Sequence, residues 1–107
     1  MRLRKKIAGA PTSDVELITL VSDALAHPVR LELFKFIIQK NRAMELVCTG
    51  DLVKNFDYAQ ATISQHMGKL TLSGLVDTRT QNKHTYYFAN TGVLSQYLNA
   101  TKSYALS

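Results

Sequence analysis

The stretch 60–76, Gln-Ala-Thr-Ile-Ser-Gln-His-Met-Gly-Lys-Leu-Thr-Leu-Ser-Gly-Leu-Val, decides how this chain is read. On a helical wheel Ile63, Met67 and Leu70 share one side, which the spacing predicts to face a core. Opposite lie Ala61, Gln65 and Gly68, with Thr62 and Lys69 on one flank and Ser64 on the other. The outward face is small, polar and free of acids. A helix entering the DNA major groove, about 12 Å wide, needs such a face, because an acid would repel phosphate and a bulky apolar group would be desolvated to no purpose. The helix is predicted from about Gln60 to Ser73, with Gly74 as its C-cap. Gly68 costs about 1 kcal/mol relative to alanine inside a helix. Close approach to DNA or to a neighbouring helix would give a reason to keep it. The plain alternative for the whole segment is an ordinary solvated face.

Downstream, β-branched and aromatic residues predict two short strands, about 76–80 and 84–89. Gln81-Asn82-Lys83 is expected to join them as a hairpin, Asn82 being able to adopt φ > 0. Arg79, Lys83 and His84 are expected to cluster at its tip. Thr91 is the expected cap of a last helix over about 92–103, with Leu94, Tyr97, Leu98 and Thr101 on one side. Upstream, Asp57-Tyr58-Ala59 reads as a tight turn. Before it, Thr49 is the expected cap of a helix over about 50–56, with Leu52, Val53 and Phe56 inward. Leu46 and Val47 suggest a short extended segment, and Lys40-Asn41-Arg42 a loop. Pro28 can open a helix that runs to about Gln39, with His27 as its cap. Ser13, with Glu16 three residues on, has the form of a capping box for a first helix over about 14–26. That helix presents Ile18, Val21 and Leu25 on one face and Leu17, Leu20 and Ala24 on another, enough to touch two surfaces.

The predicted order is helix, helix, short strand, helix, helix, hairpin, helix. Two short helices joined by a tight turn and followed by a hairpin make the winged helix-turn-helix plan, mainly α with one small β-hairpin.

A chain of 107 residues suits one domain with one core. Residues 1–13 are expected to form a basic flexible arm and residues 14–107 the domain. The formal charge of +5 suggests an acidic partner, and its distribution is informative. Arg2, Arg4, Lys5 and Lys6 lie in the arm; residues 14–53 carry six acids against four bases, and residues 54–90 four bases against two acids. No apolar run approaches the roughly 20 residues that span a bilayer. The lone cysteine, Cys48, cannot form an intrachain disulfide, and a cytoplasmic location is expected. The histidines and the cysteine are scattered, and there is no Gly-rich phosphate loop, so neither an enzyme nor a bound cofactor is expected.

Four pieces of the sequence resemble the ArsR (arsenical-resistance repressor-like) family. They are Ala24-Leu25-Ala26-His27-Pro28-Val29-Arg30-Leu31, Ala61-Thr62-Ile63-Ser64-Gln65-His66-Met67-Gly68-Lys69-Leu70, Ser73-Gly74-Leu75-Val76 and Thr85-Tyr86-Tyr87. They stand in the family's order and spacing, over about residues 14–101. The resemblance implies a homodimeric winged-helix repressor that pairs through its first and last helices, here through Ile18, Val21, Leu25, Leu94, Tyr97, Leu98 and Thr101. It also implies double-stranded DNA as partner. Ala59 stands where the family often has a serine cap, at a cost of about 1 kcal/mol; Asp57 or water is expected to compensate. Metal-sensing members carry two cysteines where this chain has Cys48-Thr49-Gly50, and the last helix lacks the carboxylate or histidine ligands of the other known site. One thiolate cannot close a thiolate site, so no metal of the usual kind is expected.

The candidate DNA contacts are Gln60, Ala61, Thr62, Ser64, Gln65 and Lys69 on the recognition helix, Arg79, Lys83 and His84 on the hairpin, and Lys54. Gln65 is the best base reader, since its amide can pair with adenine N6 and N7. Cys48 reads as a small, partly buried residue with redox sensing as the sharper alternative. His66 reads as a structural hydrogen-bonding residue, Met44 and Met67 as packing residues. Of Tyr86 and Tyr87, one is expected in the core and the other near a phosphate. The competing function is a protein-interaction module that reuses the fold; a milder variant keeps DNA binding under control of an unidentified small-molecule effector.

Overall fold

The computed structural model describes residues 13–106. The expected basic arm therefore lies, apart from Ser13, outside the described residues. The elements are α1 (Asp14–Leu25), α2 (Pro28–Arg42), α3 (Thr49–Asn55), α4 (Gln60–Leu72), β1 (Val76–Gln81), β2 (His84–Ala89) and α5 (Thr91–Leu106).

Four of the five helix starts have a local cause. Ser13 Oγ accepts from the Glu16 N–H at 3.2 Å, and His27 Nδ1 accepts from the Val29 N–H at 3.2 Å just before Pro28. Two caps sit one residue earlier than expected. Cys48, not Thr49, precedes α3, and its N–H donates to Asp51 Oδ2 at 2.9 Å. Thr49 Oγ1 instead meets the Tyr87 hydroxyl at 2.9 Å. Asn90, not Thr91, caps α5 by accepting from the Val93 N–H at 3.2 Å. Helix α2 continues through the expected loop Lys40-Asn41-Arg42. Asn41 Oδ1 takes the Ala89 N–H at the end of the hairpin at 2.8 Å. Lys40 and Arg42 suit the negative end of the helix dipole. The chain then turns at Met44, which has φ 62° and is 91% exposed. Met44 is thus a turn residue and not the packing residue expected.

The core lies where α1, α2, α3 and α4 converge on the base of the hairpin. Leu33, Ile37, Leu52, Ile63, Leu70 and Leu75 are fully enclosed there. Met67 and Tyr87 are buried beside them, so of the two tyrosines Tyr87 is the core residue and Tyr86 is half-buried. Buried Ser73 closes α4, its hydroxyl donating to the Leu70 carbonyl and accepting from the Leu75 N–H. Gly74 follows at φ 87°, the left-handed geometry that glycine adopts without steric cost.

The hairpin pairs Val76 with Ala89 through to Gln81 with His84. Its turn is the two residues Asn82 and Lys83, at φ 51° and 70°, and Gln81 belongs to the strand. Positive φ at both positions gives a hairpin the twist its strands need. The other side of β2 is held by the expected extended segment: Cys48 bridges Tyr86, and the Val47 carbonyl accepts from the Tyr87 N–H at 2.9 Å.

Candidate nucleic-acid interface

Helix α4 follows α3 after a short turn and is anchored by Ile63, Met67 and Leu70, none more than 2% exposed. That anchoring turns Gln60, Ala61, Ser64, Gln65, Gly68 and Lys69 to solvent, with Thr62 half-buried at the margin. No acidic residue lies in α4. A Cβ added at Gly68 would meet no atom within 4 Å. Close packing against a neighbouring helix of the same chain is therefore not what keeps this glycine. Ala59 offers no side-chain cap, and Asp57 does not replace one. The first-turn N–H groups of α4 thus lack a side-chain acceptor at the end of the helix nearest the hairpin tip.

A cleft of about 380 Å³ separates the starts of α3 and α4 from the hairpin tip. Its walls include Lys54, Gln60, Lys83 and His84, with Cys48 and Thr49 behind them and no acid. Lys54, Lys83 and His84 are thus brought to one concavity beside the outward face of α4. Arg79 is not at the tip as expected. It pairs with Tyr86 in mid-strand, and its guanidinium lies 5.5 Å from the Phe88 ring centre. Lys69 is not free either: its ammonium pairs with Asp23 of α1 at 2.8 Å. That ion pair and hydrogen bond hold the Asp23 carboxyl below the usual carboxylate range.

His66 sits at the edge of the buried face. Its Nδ1 lies 3.1 Å from Arg30 Nη1, and its ring centre is 4.8 Å from that of His27. Burial first, then the charges of His27 and Arg30, push its pKa below 6.5. This cluster was missed in the sequence. Arg30 and His66 are 36 residues apart, and no local pattern links them.

The helices expected to pair two copies, α1 and α5, pack on each other, with Ser22 Oγ and Tyr97 OH 3.0 Å apart. Val21 has no exposed surface and belongs to the core, so its expected place on a pairing surface is corrected. Ile18, Leu25, Leu94, Tyr97 and Thr101 are half-buried, and Leu98 is 56% exposed. Val15, Tyr104 and Leu106, which the helical spacing did not single out, are exposed apolar residues on the same two helices.

The chain has relatives among known proteins, in sequence and in fold. A biofilm growth-associated repressor of Agrobacterium fabrum is 34% identical over 70 residues, 65% of this chain and 56% of its own length. The protein of the same name from Xylella fastidiosa is 33% identical over 76 residues, 71% of this chain and 62% of its own. An arsenical resistance operon repressor of Staphylococcus xylosus is 36% identical over 72 residues, 66% of this chain and 64% of its own. The chain thus spans less than two thirds of these relatives. Among solved structures, the transcriptional repressor BigR from Xylella fastidiosa matches with TM-score 0.60 and 29% identity, over 80% of this chain and 83% of that one. The chain resembles ArsR-type winged-helix regulators in sequence and in fold. No family model matches it. The ArsR-like regulator from Rhodococcus sp. RHA1, at TM-score 0.70 and 17% identity over 84% of this chain and 78% of that one, agrees in fold.

At Gly50, where the resemblance to metal-sensing members would put a second cysteine, an added Cβ would lie 3.7 Å from Cys48 Sγ. Among the described residues no three His, Cys, Asp or Glu side chains are grouped to hold a metal ion. None of the described helices is long and apolar enough to cross a membrane.

Proposed function

We propose that this chain is a cytoplasmic, homodimeric transcriptional repressor that binds double-stranded DNA sequence-specifically, and not an enzyme. One observation carries the reading. The exposed, acid-free face of α4 runs directly into the cleft lined by Lys54, Lys83 and His84. Gln65 reads base edges from the centre of that face, with Thr62, Ser64 and Ala61 beside it. Lys54, Lys83, His84 and the first-turn N–H groups of α4, at Gln60, meet backbone phosphates. Arg79 supports the wing from mid-strand. The names of the relatives, repressors in each case, support the same reading.

Two copies join through α1 and α5, using Ile18, Leu25, Leu94, Tyr97, Leu98 and Thr101 together with Val15 and Tyr104. The pair sets two α4 helices in successive major grooves about 34 Å apart, on a pseudo-palindromic site.

The test is selection of duplexes from a random-sequence pool, followed by fluorescence anisotropy of the winner and a scrambled duplex across a salt series. Enrichment of a two-fold symmetric sequence, with affinity falling steeply with salt, is expected. Equal, weak binding of both duplexes would overturn the repressor reading in favour of a protein-interaction module.

A further inference from the structure

We infer that Arg30 and His66 are positioning residues that fix the recognition helix on α1, and that a proton on His66 releases it. The inference rests on the DNA-binding reading above. One guanidinium reaches three acceptors on two helices. Arg30 Nε donates to the Ala24 carbonyl at 2.8 Å and Nη2 to the Asp23 carbonyl at 3.1 Å. These carbonyls end α1, whose last turn carries no base of its own, so Arg30 supplies the cation that the negative end of the helix dipole favours. The third branch, Nη1, reaches His66 Nδ1 at 3.1 Å.

Arginine has donors and no acceptor. His66 Nδ1 must therefore accept, which places the ring's proton on Nε2 and requires the neutral imidazole. A second proton on the ring removes the acceptor and sets two cations against each other. The groups that face His66 cannot absorb that charge. From α2 and its cap they are Arg30 and the His27 ring; from the turn before α4, the Tyr58 ring. From α1 the nearby acid is Asp23, whose carboxylate is committed to Lys69 of α4 itself.

Burial, His27 and Arg30 all favour the neutral form of His66. For a base whose folded pKa lies below its unfolded value, the stabilisation is complete above the unfolded value, about 6.5. It is lost as pH falls toward the lowered one. Sequence discrimination should weaken with acid. Acidification alone has the opposite tendency, since it adds positive charge and strengthens the hold on phosphates.

The measured quantity is preference, the ratio of affinities for the selected and the scrambled duplex, between pH 7.5 and 5.5. In the native chain preference should fall by about fivefold or more over this range. His66→Asn puts an amide oxygen where Nδ1 stands and cannot titrate, and its preference should stay level. Arg30→Lys loses the fork and should show reduced preference already at pH 7.5. Reciprocity requires that the selected duplex lower the His66 pKa further, read by NMR of the imidazole C–H signals of the native chain. A His66→Asn profile that superimposes on the native one, or a His66 pKa unmoved by DNA, overturns the inference while leaving the repressor reading intact. If the native chain selects no sequence at any pH, both fall together.

Discussion

Helix α4 carries its outward residues on a backbone pinned by Ile63, Met67 and Leu70, whereas the wing carries Lys83 and His84 on a stretch where every residue from Asp77 to His84 is exposed. In the proposed complex both present groups to the same DNA. The helix is aimed by burial, so its orientation is inseparable from the stability of the domain. The wing tip is aimed by backbone geometry alone, through two residues held at positive φ. Changes on the two should therefore behave differently. Stability and DNA binding should be lost together when the helix anchor is cut, and should move in opposite directions at positions chosen for reach.

The largest effect is expected from Ile63→Ala, which leaves a cavity under α4 and should cost about 2–5 kcal/mol in urea denaturation. A loss below about 1 kcal/mol would mean that the anchor lies elsewhere. Gly68→Ala should act in the opposite sense, raising stability by about 1 kcal/mol because its methyl meets nothing. If α4 rides close in the groove, the same methyl should weaken binding to the selected duplex; unchanged affinity would break that part of the comparison. Lys83→Gly removes a left-handed non-glycine residue and should stabilise the hairpin by up to about 1 kcal/mol. It should also weaken binding to every duplex and flatten the log–log salt slope by about 0.9. An unchanged slope would remove Lys83 from the phosphate contacts. The smallest effect is expected at Asp23, which holds Lys69 in an ion pair and in the proposed complex would compete with phosphate for it. Asp23→Asn should tighten binding to all duplexes by a few-fold, about what one released surface cation contributes. The Asp23 carboxyl titrates below its usual range. Its pairing is therefore complete above the unfolded carboxylate pKa and fails only as pH falls through the lowered one.

The two faces of α4 were legible in the sequence because burial on a helix repeats with the helical period, and Ile63, Met67 and Leu70 fall on that period without interruption. The hairpin was legible because its strands are β-branched and aromatic and Asn82 marks the turn. The misread positions share a different cause, a competition between neighbours that local pattern does not decide. Cys48 and Thr49, and Asn90 and Thr91, are adjacent candidates for one cap. In the first pair Tyr87 claims the Thr49 hydroxyl, and in the second the Asn90 side chain reaches Val93. Lys40-Asn41-Arg42 is polar enough for a loop, but Asn41 is required by the end of β2. Val21 lies on the same helical face as Ile18 and Leu25, and only the packing of α1 shows that it points inward. The Arg30–His66 contact depends on the crossing of α2 and α4, which no local window contains.

Strand β2 is hydrogen-bonded on both sides, to β1 and, through Val47 and Cys48, to the segment before α3. Among the described residues, β1 is the strand whose outer edge has no backbone partner. An open edge is a template on which another chain can add a strand, and proteins that must stay soluble at high local concentration blunt it with charge and shortness. Strand β1 has six residues and carries Asp77 and Arg79, one of each sign. Two wings brought close on one duplex, as the proposed complex requires, would find no apolar strand to zip together, so the growth of fibres by edge pairing is discouraged there.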